Sequence, residues 1–290
     1  MSLEKNSPCK INLLLNILGR RADGFHELET LFHPVNLCDQ LHFARAATGL
    51  RLTCSDATLP VDASNLVHRA ATAFLTAAKI SDGVAIHLEK KIPMAAGLGG
   101  GSGNAAVTLL GLNELFGSPL TVAQLHPLAA TLGSDVNFFL QDRPALAFGR
   151  GEQITPVEVF PSMRGATMVL VRPGFGIATA WAYRALAGFP AALNGTPGRA
   201  RRLAEALRTG TLATASGEFY NSLEAPALDK FPVLRLYQEF LREQGAAVTL
   251  MSGSGSTTFA LFADAGRAGA ALENFSAQFG TEGWSAGVPV

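Results

Sequence analysis

The segment that most limits how this chain can fold is a glycine-rich run joining a predicted strand to a predicted helix. Residues 93–106 read Pro-Met-Ala-Ala-Gly-Leu-Gly-Gly-Gly-Ser-Gly-Asn-Ala-Ala. Glycine lets the backbone approach an anion closely, and the N-terminus of the following helix adds about half a unit of positive charge. A flexible linker is the plain alternative, but linkers seldom run without interruption into an amphipathic helix. The pattern therefore favours an anion-binding loop.

Three common nucleotide-binding fingerprints do not fit this loop. A Walker loop needs Gly-Lys-Ser/Thr, and the chain has no lysine between Lys91 and Lys230. Residues 101–106 match G-x-G-x-x-A, but no acidic residue follows about 20 positions on, where a dinucleotide's ribose would need one. The His-Arg-Asp and Asp-Phe-Gly motifs of protein kinases are also absent. The loop therefore belongs to another class of phosphate-binding fold.

Composition narrows the class of protein further. The 290 residues are 48% hydrophobic and 16% charged, which predicts globular domains with a substantial core rather than disorder. The 23 basic and 23 acidic residues balance, so nucleic acid is not an expected partner. No signal peptide and no apolar run of about 20 residues is visible, so no membrane partner is expected. Three cysteines outside any CxxC spacing favour a reducing compartment and exclude a thiolate zinc site. We therefore expect a cytoplasmic protein.

Apolar periodicity predicts a mixed order of helices and strands. Strands are predicted at 10–18, 28–37, 41–46, 50–54, 84–89, 168–171, 248–251 and 259–262. Helices are predicted at 64–78 with Ser64 as cap, at 104–116, from a Thr121-Gln124 capping box to Leu132, at 197–208 and at 232–244. The irregular order favours an α+β fold over a doubly wound sheet. A Pro-, Ser- and Gly-containing stretch at 160–165 predicts two domains, residues 1–162 and 163–290.

Several blocks resemble a known family. Pro-x-x-x-Gly-Leu-Gly followed by Gly/Ser and Ala-Ala is similar to the ATP-phosphate loop of the galactose, homoserine and mevalonate kinases. Further blocks at 7–12, 19–26, 132–136 and 251–255 occur in the family's order. Together they resemble the branch that phosphorylates the 2-hydroxyl of a cytidine-diphosphate-linked polyol in non-mevalonate isoprenoid precursor synthesis.

The resemblance implies a two-domain α+β fold with the active site in the cleft between the domains. The N-terminal domain, which binds ATP, would resemble ribosomal protein S5 domain 2, and the C-terminal domain would be ferredoxin-like. ATP is the implied co-substrate, Mg²⁺ is expected with it, and all expected partners are small molecules. The oligomeric state and the metal ligands stay open.

Two residues take the catalytic roles that the resemblance implies. Lys10 lies in an apolar strand, where an unpaired ammonium is costly, so we expect an acidic partner or an anionic ligand near it. A lysine at a sheet edge that extends to solvent is the alternative. Asp135 is expected to orient and deprotonate the acceptor hydroxyl, but it could instead cap a short helix.

The resemblance assigns the ATP phosphates to the whole glycine-rich loop and the adenosine to three residues outside it. The residues so assigned are Pro93, Met94, Ala95, Ala96, Gly97, Leu98, Gly99, Gly100, Gly101, Ser102, Gly103, Asn65, Leu66 and Lys90.

The implied site for the second substrate uses two aromatic rings and several polar groups. Phe25 and Tyr183 are expected to hold the cytosine, with His26 beside it, Thr179 near the phosphates, and Asn12 also in contact. For Thr179 and Tyr183 a helix cap and a core aromatic are the open alternatives. The resemblance also implies that the loop at 253–256 packs against the phosphate loop and the substrate, although it could be a plain hairpin turn.

Four positions depart from the family pattern. Phe25 replaces a usual tyrosine, which keeps stacking but loses a phenolic hydrogen bond. Cys9 replaces alanine and Asn137 replaces proline. Gly103 replaces a serine, so we expect the loop amides and the Ser102 hydroxyl to hold the phosphates.

Two rival functions stay open. A sister kinase acting on another small alcohol would share the glycine-rich loop, but the Gly-Phe-His block at 24–26 argues against it. A non-catalytic nucleotide sensor would also keep the loop. The presence of both Lys10 and Asp135 argues against a sensor.

Overall fold

The computed structural model describes residues 2–290, which form two compact units. The first unit contains the chain up to Cys9, Leu37–Pro93 and Gly99–Asp142. The second unit contains Lys10–Asn36, Met94–Leu98 and Arg143–Val290. The predicted domain boundary after residue 162 stays a prediction.

Eleven strands lie in the described residues. They are β1 (Ser2–Arg20), β2 (His26–Ala46), β3 (Leu50–Cys54), β4 (Gly83–Glu89), β5 (Ala145–Gly149), β6 (Gln153–Pro156), β7 (Thr167–Arg172), β8 (Tyr220–Asn221), β9 (Val248–Met251), β10 (Thr258–Phe262) and β11 (Trp284–Pro289).

Ten α-helices accompany the strands in this part of the chain. They are α1 (Leu66–Ala77), α2 (Gly100–Leu115), α3 (Val122–Leu132), α4 (Thr179–Ala185), α5 (Pro190–Leu193), α6 (Arg199–Thr209), α7 (Leu212–Ala215), α8 (Glu224–Lys230), α9 (Val233–Glu243) and α10 (Ala265–Phe279). Short 3₁₀ helices occur at Val136–Leu140, Pro161–Met163, Leu186–Gly188 and Ser216–Glu218.

In the first unit, three helices pack beside a small sheet. Strand β4 pairs in parallel with β3 and antiparallel with β2. Helices α1 and α2 pack against each other, and α3 packs against both. Gly111 lets α2 approach β2 closely, because a Cβ at Gly111 would lie 2.7 Å from the Phe43 ring. Most of α2 is buried, so packing along the helix holds its N-terminus in place.

The second unit contains a four-stranded antiparallel sheet in the order β11-β7-β10-β9. Helices α9 and α10 cover one face, where Leu241 and Phe275 pack against Val171 and Phe262. Elsewhere in this unit β5 pairs with β2 and β6, and β8 pairs in parallel with β1 at Leu14 and Leu15. The predicted α+β class is confirmed.

Some predicted elements differ from the structure. The strands predicted at 28–37 and 41–46 form one strand, β2, and α2 begins at Gly100 rather than at residue 104. Ser64 does not cap α1, as its hydroxyl donates to Asp62 at 2.6 Å. The cap is Asn65, whose Oδ1 accepts the backbone N–H of Val67 at 2.9 Å.

Helices α2 and α10 are the longest in the described chain. Within residues 2–290, neither these nor the shorter helices combine the length and apolar character that crossing a membrane requires.

Candidate active site

The glycine-rich loop ends in an open helix N-terminus. Gly99 caps α2 in the left-handed conformation, with φ of 68°, and has no side chain to offer a capping bond. The amide of Gly103 donates to the Gly99 carbonyl at 2.9 Å. The amides of residues 100–102 therefore have no acceptor within the helix. Gly101 is exposed, Ser102 is half-buried and Gly100 is buried, so the helix N-terminus is open to an anion at Gly101.

The first half of the loop, Met94–Leu98, belongs to the second unit and is hydrogen bonded within it through its carbonyl groups. The Met94 carbonyl accepts Arg172 Nη2 at 3.1 Å, and the Ala96 carbonyl accepts the Thr257 amide at 3.2 Å. Ala95 has a positive φ of 49° and lies against Gly176, where a Cβ would come within 2.7 Å of the Ala95 Cβ. These contacts fix residues 94–96, which form no helix or strand of their own.

Gly97 packs directly against the loop between β9 and β10. The Ser252 hydroxyl donates to the Gly97 carbonyl at 2.9 Å and accepts the Asn12 amide at 3.3 Å. A Cβ at Gly97 would lie 2.0 Å from the Ser252 carbonyl oxygen. A Cβ at Gly253 would lie 3.2 Å from the Gly97 carbonyl oxygen, which confirms that the loop at 253–256 packs against the glycine-rich loop. Its contact with the substrate stays a prediction. It is also a hairpin connection, because β9 and β10 pair antiparallel.

Lys10 is 3% exposed, so the alternative of a lysine that extends to solvent is wrong. Its Nζ donates to Asn12 Oδ1 at 2.6 Å and to the Gly97 carbonyl at 3.4 Å. The ammonium also lies 5.1 Å from the centre of the Phe32 ring. Asn12 is oriented in turn, because its Nδ2 donates to Thr30 Oγ1 at 2.8 Å. The structure therefore places the ammonium at Gly97 of the glycine-rich loop.

Asp135 stands at the first position before the 3₁₀ helix Val136–Leu140 and is half-buried. It is the N-cap residue by position, but its carboxylate makes no capping hydrogen bond to that helix. Its catalytic role stays a prediction. Asn137, which replaces the usual proline, bonds through Oδ1 to His126 Nδ1 at 3.1 Å and so ties this helix to α3.

Gly103 is helical, and its space is limited by the backbone of β1. A Cβ at this position would lie 2.7 Å from the Pro8 carbonyl oxygen and 3.1 Å from Ser7 Oγ. The departure from serine thus matches a close approach of α2 to residues 7 and 8. Gly101 differs, since a Cβ there would meet only Leu66 Cδ1, at 3.5 Å.

The predicted adenosine residues lie in different surroundings. Leu66 lies beside the glycine-rich loop, since a Cβ at Gly101 would be 3.5 Å from Leu66 Cδ1. Asn65 uses its side chain to cap α1 and to donate to the Pro60 carbonyl at 2.7 Å. Lys90 forms a buried ion pair with Asp39. The ATP role of all three stays a prediction.

The predicted cytosine residues do not all meet. The rings of His26 and Tyr183 lie 5.0 Å apart, whereas Phe25 lies under the Arg150 guanidinium at 4.7 Å. Burial, helped by the charge of Arg20, lowers the pKa of His26 below its usual value. A neutral His26 presents one donor and one acceptor, which suits a nucleobase edge.

Thr179 and Tyr183 lie on α4. The position before this helix is Ala178, so the alternative of Thr179 as its cap is wrong. The Thr179 hydroxyl lies 3.0 Å from Ser254 Oγ. Tyr183 packs partly against a core cluster, so the core-aromatic alternative holds for part of its ring.

Comparison with known proteins identifies the family. Models described as the N-terminal and C-terminal domains of GHMP kinases match residues 65–150 and 202–281. A 4-diphosphocytidyl-2-C-methyl-D-erythritol kinase from Synechococcus sp. (strain JA-3-3Ab) is 41% identical over 276 residues, covering 93% of this chain and 88% of the relative. The same-named protein of Syntrophotalea carbinolica is 40% identical over 285 residues, covering 97% and 95%. The chain belongs to the GHMP kinase family.

Solved structures agree with this membership. A crystal structure of 4-(cytidine 5'-diphospho)-2C-methyl-D-erythritol kinase has a TM-score of 0.82 and 37% identity, and covers 99% of this chain and 100% of that one. A homoserine kinase from Cytophaga hutchinsonii has a TM-score of 0.76 at 20% identity, which reports the shared GHMP kinase fold alone.

The sequence does not indicate several polar residues that support the site of this GHMP kinase. Asn221 donates to the carbonyls of Met251 and Gly253 at 2.7 and 2.8 Å. Asp39 accepts hydrogen bonds from both sides of the glycine-rich loop. The position of Asp39 inside an apolar strand is the sequence feature that indicates a buried acidic residue. It does not predict which residues are hydrogen bonded to the carboxylate.

Proposed function

We propose that this GHMP kinase transfers the terminal phosphoryl group of ATP to the 2-hydroxyl of 4-diphosphocytidyl-2-C-methyl-D-erythritol. The observation that carries the proposal is 40–41% identity over 93–97% of the chain to kinases of that name. The open N-terminus of α2 and the Lys10 ammonium at the loop are consistent with it. The reaction belongs to non-mevalonate synthesis of isoprenoid precursors.

Phosphoryl transfer needs a phosphate cradle, a cation near the reacting oxygens and a group that orients the alcohol. We assign the cradle to the amides of residues 100–102 and the Ser102 hydroxyl, and the cation to Lys10. Asp135 orients the acceptor hydroxyl and receives its proton as the new oxygen–phosphorus bond forms and ADP leaves. A carboxylate is a weak base, which suits orientation at least as well as full deprotonation.

Magnesium is proposed to arrive on ATP rather than at a protein site. In residues 2–290 no group of three or more His, Cys, Asp or Glu side chains is arranged to hold a metal ion. Mg²⁺ dehydrates reluctantly and commonly binds through phosphates and a few protein oxygens. The Ser102 hydroxyl is the protein oxygen that the loop offers.

The second substrate is assigned to the other predicted residues. The cytosine would lie near Phe25, His26 and Tyr183, because their rings offer stacking surfaces and a polar edge. Thr179 would contact the substrate phosphates. Asn12 would act beside Lys10, to which it is hydrogen bonded.

The finer fold names are part of the same proposal. Two helices on one face of a four-stranded antiparallel sheet support a ferredoxin-like C-terminal domain at 163–290. The family resemblance supports an S5 domain 2-like N-terminal domain at 1–162, an active site in the cleft between the domains, and a cytoplasmic location.

The test is phosphoryl transfer by the purified protein. ADP release is measured with ATP and Mg²⁺ alone, and then with 4-diphosphocytidyl-2-C-methyl-D-erythritol, homoserine or mevalonate added. We expect rapid release with the cytidine substrate only, and a product heavier by one phosphoryl group in mass spectrometry. Faster turnover of homoserine or mevalonate would replace the proposed acceptor, and no acceptor-dependent release would refute kinase activity.

A further inference from the structure

One buried carboxylate is bonded to both sides of the glycine-rich loop. Asp39 is 0% exposed and lies on β2. Its Oδ1 accepts the amides of Lys91 and Ile92, immediately before the loop, at 2.7 and 2.8 Å. Its Oδ2 accepts Asn104 Nδ2, immediately after the loop, at 2.9 Å. The same carboxylate forms the ion pair with Lys90. All five residues belong to the first unit.

Asn104 is placed to fix the beginning of α2. It is 2% exposed and is the first residue after the last glycine of the loop. Besides Asp39, its Nδ2 donates to Ser7 Oγ at 3.0 Å. Both amide hydrogens of Asn104 are therefore used, one towards β2 and one towards β1.

We propose that Asp39 and Asn104 are positioning residues that set the separation between the two ends of the phosphate loop. In doing so they align the free amides of residues 100–102 for ATP. Neither side chain is assigned a contact with ATP. The inference deepens the proposed function and rests on it for the identity of the nucleotide.

The physical argument concerns the entropy of a glycine-rich segment. Glycine loses more backbone freedom on ordering than any other residue. A loop without fixed ends would have to order when ATP binds, and that cost would weaken the measured affinity. Buried, charge-assisted hydrogen bonds at both ends order the loop when the protein folds, so the entropy cost is not met when ATP binds.

The test compares two asparagines on the same helix. Asn104→Ala removes the bonds to Asp39, Ser7 Oγ and Lys90 Nζ, while Asn113→Ala removes two bonds, to Leu120 N and O, at the other end of α2. MgATP affinity is measured by calorimetry without an acceptor. We expect about 10-fold weaker binding for Asn104→Ala, because its bonds to the charged Asp39 and Lys90 side chains are lost, and no more than about 2-fold for Asn113→Ala, whose lost bonds are to backbone groups. Amide exchange at residues 97–102 should be faster only in Asn104→Ala.

Unchanged MgATP affinity and loop exchange in a folded Asn104→Ala protein would overturn the inference. Equal weakening in both variants would also overturn it, because the effect would then be general helix destabilisation. If Asn104→Ala does not fold, Asn104→Ser takes its place with the same two expectations. A wild-type protein that binds MgATP but does not phosphorylate the cytidine substrate would instead refute the proposed function and leave the positioning role in place.

Discussion

Gly97 and Ser252 meet backbone to backbone, and the space between them excludes even a methyl group. A Cβ at Gly97 would lie 2.0 Å from the Ser252 carbonyl oxygen, while the Ser252 hydroxyl donates to the Gly97 carbonyl at 2.9 Å. The backbone amide of Asn12 donates to the same Ser252 hydroxyl. The glycine-rich loop, the β9–β10 loop and the strand that carries Lys10 are therefore fixed by one small cluster.

Gly97→Ala is expected to cut turnover by about 100-fold, since displacements of about 1 Å in a catalytic site have effects of that size. Gly165→Ala is the matched control. Gly165 has nearly the same φ, 76° against 75°, but a Cβ there has nothing within 4 Å. Gly165→Ala should lose about 1–2 kcal/mol of stability for a left-handed alanine. Gly97→Ala should lose more, because its methyl group also clashes with the Ser252 carbonyl. Chemical denaturation measures both losses. Normal turnover in Gly97→Ala would show that the contact is unimportant for activity.

Lys10→Met and Asp135→Asn are each expected to reduce turnover by about 100-fold or more, the lower range for a positioned acid or base group. Lys5→Met on the same strand is the control for Lys10, since Lys5 forms a partly exposed ion pair with Glu114. Asp142→Asn, at an exposed position, is the control for Asp135. Steady-state rates and unfolding curves are measured together. Near-normal turnover in either folded variant removes that residue from the mechanism.

The features that the sequence predicts well are local ones. The phosphate loop could be found because glycines, a preceding strand and a following helix are contiguous in residues 84–116. The capping box of α3 is also local, and Gln124 Oε1 accepts the Thr121 amide at 2.9 Å as predicted. The predicted start of α2 at residue 104 is too late because the glycines within residues 100–103 have low helix propensity. In the structure, tertiary packing overrides that propensity.

The features that could not be predicted depend on contacts between distant positions. Asp39 meets Lys90 and Asn104, which lie 51 and 65 positions further along the chain. The two-residue strand β8 is too short for periodicity to reveal, yet it carries Asn221, which supports the β9–β10 loop. The pairing of His26 with Tyr183, rather than with Phe25, likewise depends on packing that brings α4 to the start of β2.

Tyr183→Ala is expected to raise the KM for the cytidine substrate about 10-fold and to leave the KM for ATP unchanged, because stacking on a base is worth about 1–3 kcal/mol. Tyr183→Phe keeps the ring and should retain the wild-type KM. Phe25→Ala should behave like Tyr183→Ala if the cytosine lies between the two rings. Equal effects on both KM values would place the cytosine elsewhere.

Glu224 makes stability depend on pH near neutrality. Burial raises the pKa of its carboxyl to about 7, despite hydrogen bonds from the Met251 amide and Gln238 and the charge of Arg242, which act in the opposite direction. Because the folded protein holds this proton more tightly than the unfolded chain, stability from this group is present below about pH 4.5. It is lost as the pH rises through about 7.

Denaturation of wild type and Glu224→Gln at pH 5 and pH 8 measures this effect. Glutamine keeps an acceptor for the Met251 amide, so the variant should fold and should lose less stability between the two pH values than wild type does. Glu158→Gln, at a side chain that is 82% exposed, should follow wild type. Parallel pH profiles for Glu224→Gln and wild type would contradict the assignment.

Gly103→Ser, which restores the residue usual in the family, is expected to damage this protein rather than improve it. The backbone at Gly103 is helical, so the cause is contact and not conformation. The nearest atom to a new Cβ is the Pro8 carbonyl oxygen at 2.7 Å, and a backbone atom within a strand cannot move aside as a flexible side chain can. We expect a loss of about 1–3 kcal/mol in stability, as for other overpacked sites, and a lower turnover.

Gly101→Ser is the comparison, since its Cβ meets only Leu66 at 3.5 Å and stability should change little. A magnesium titration of Gly103→Ser separates the two explanations of the glycine: an unchanged midpoint with reduced stability supports packing, whereas a shifted midpoint with wild-type stability would mean that the missing hydroxyl acts on the metal.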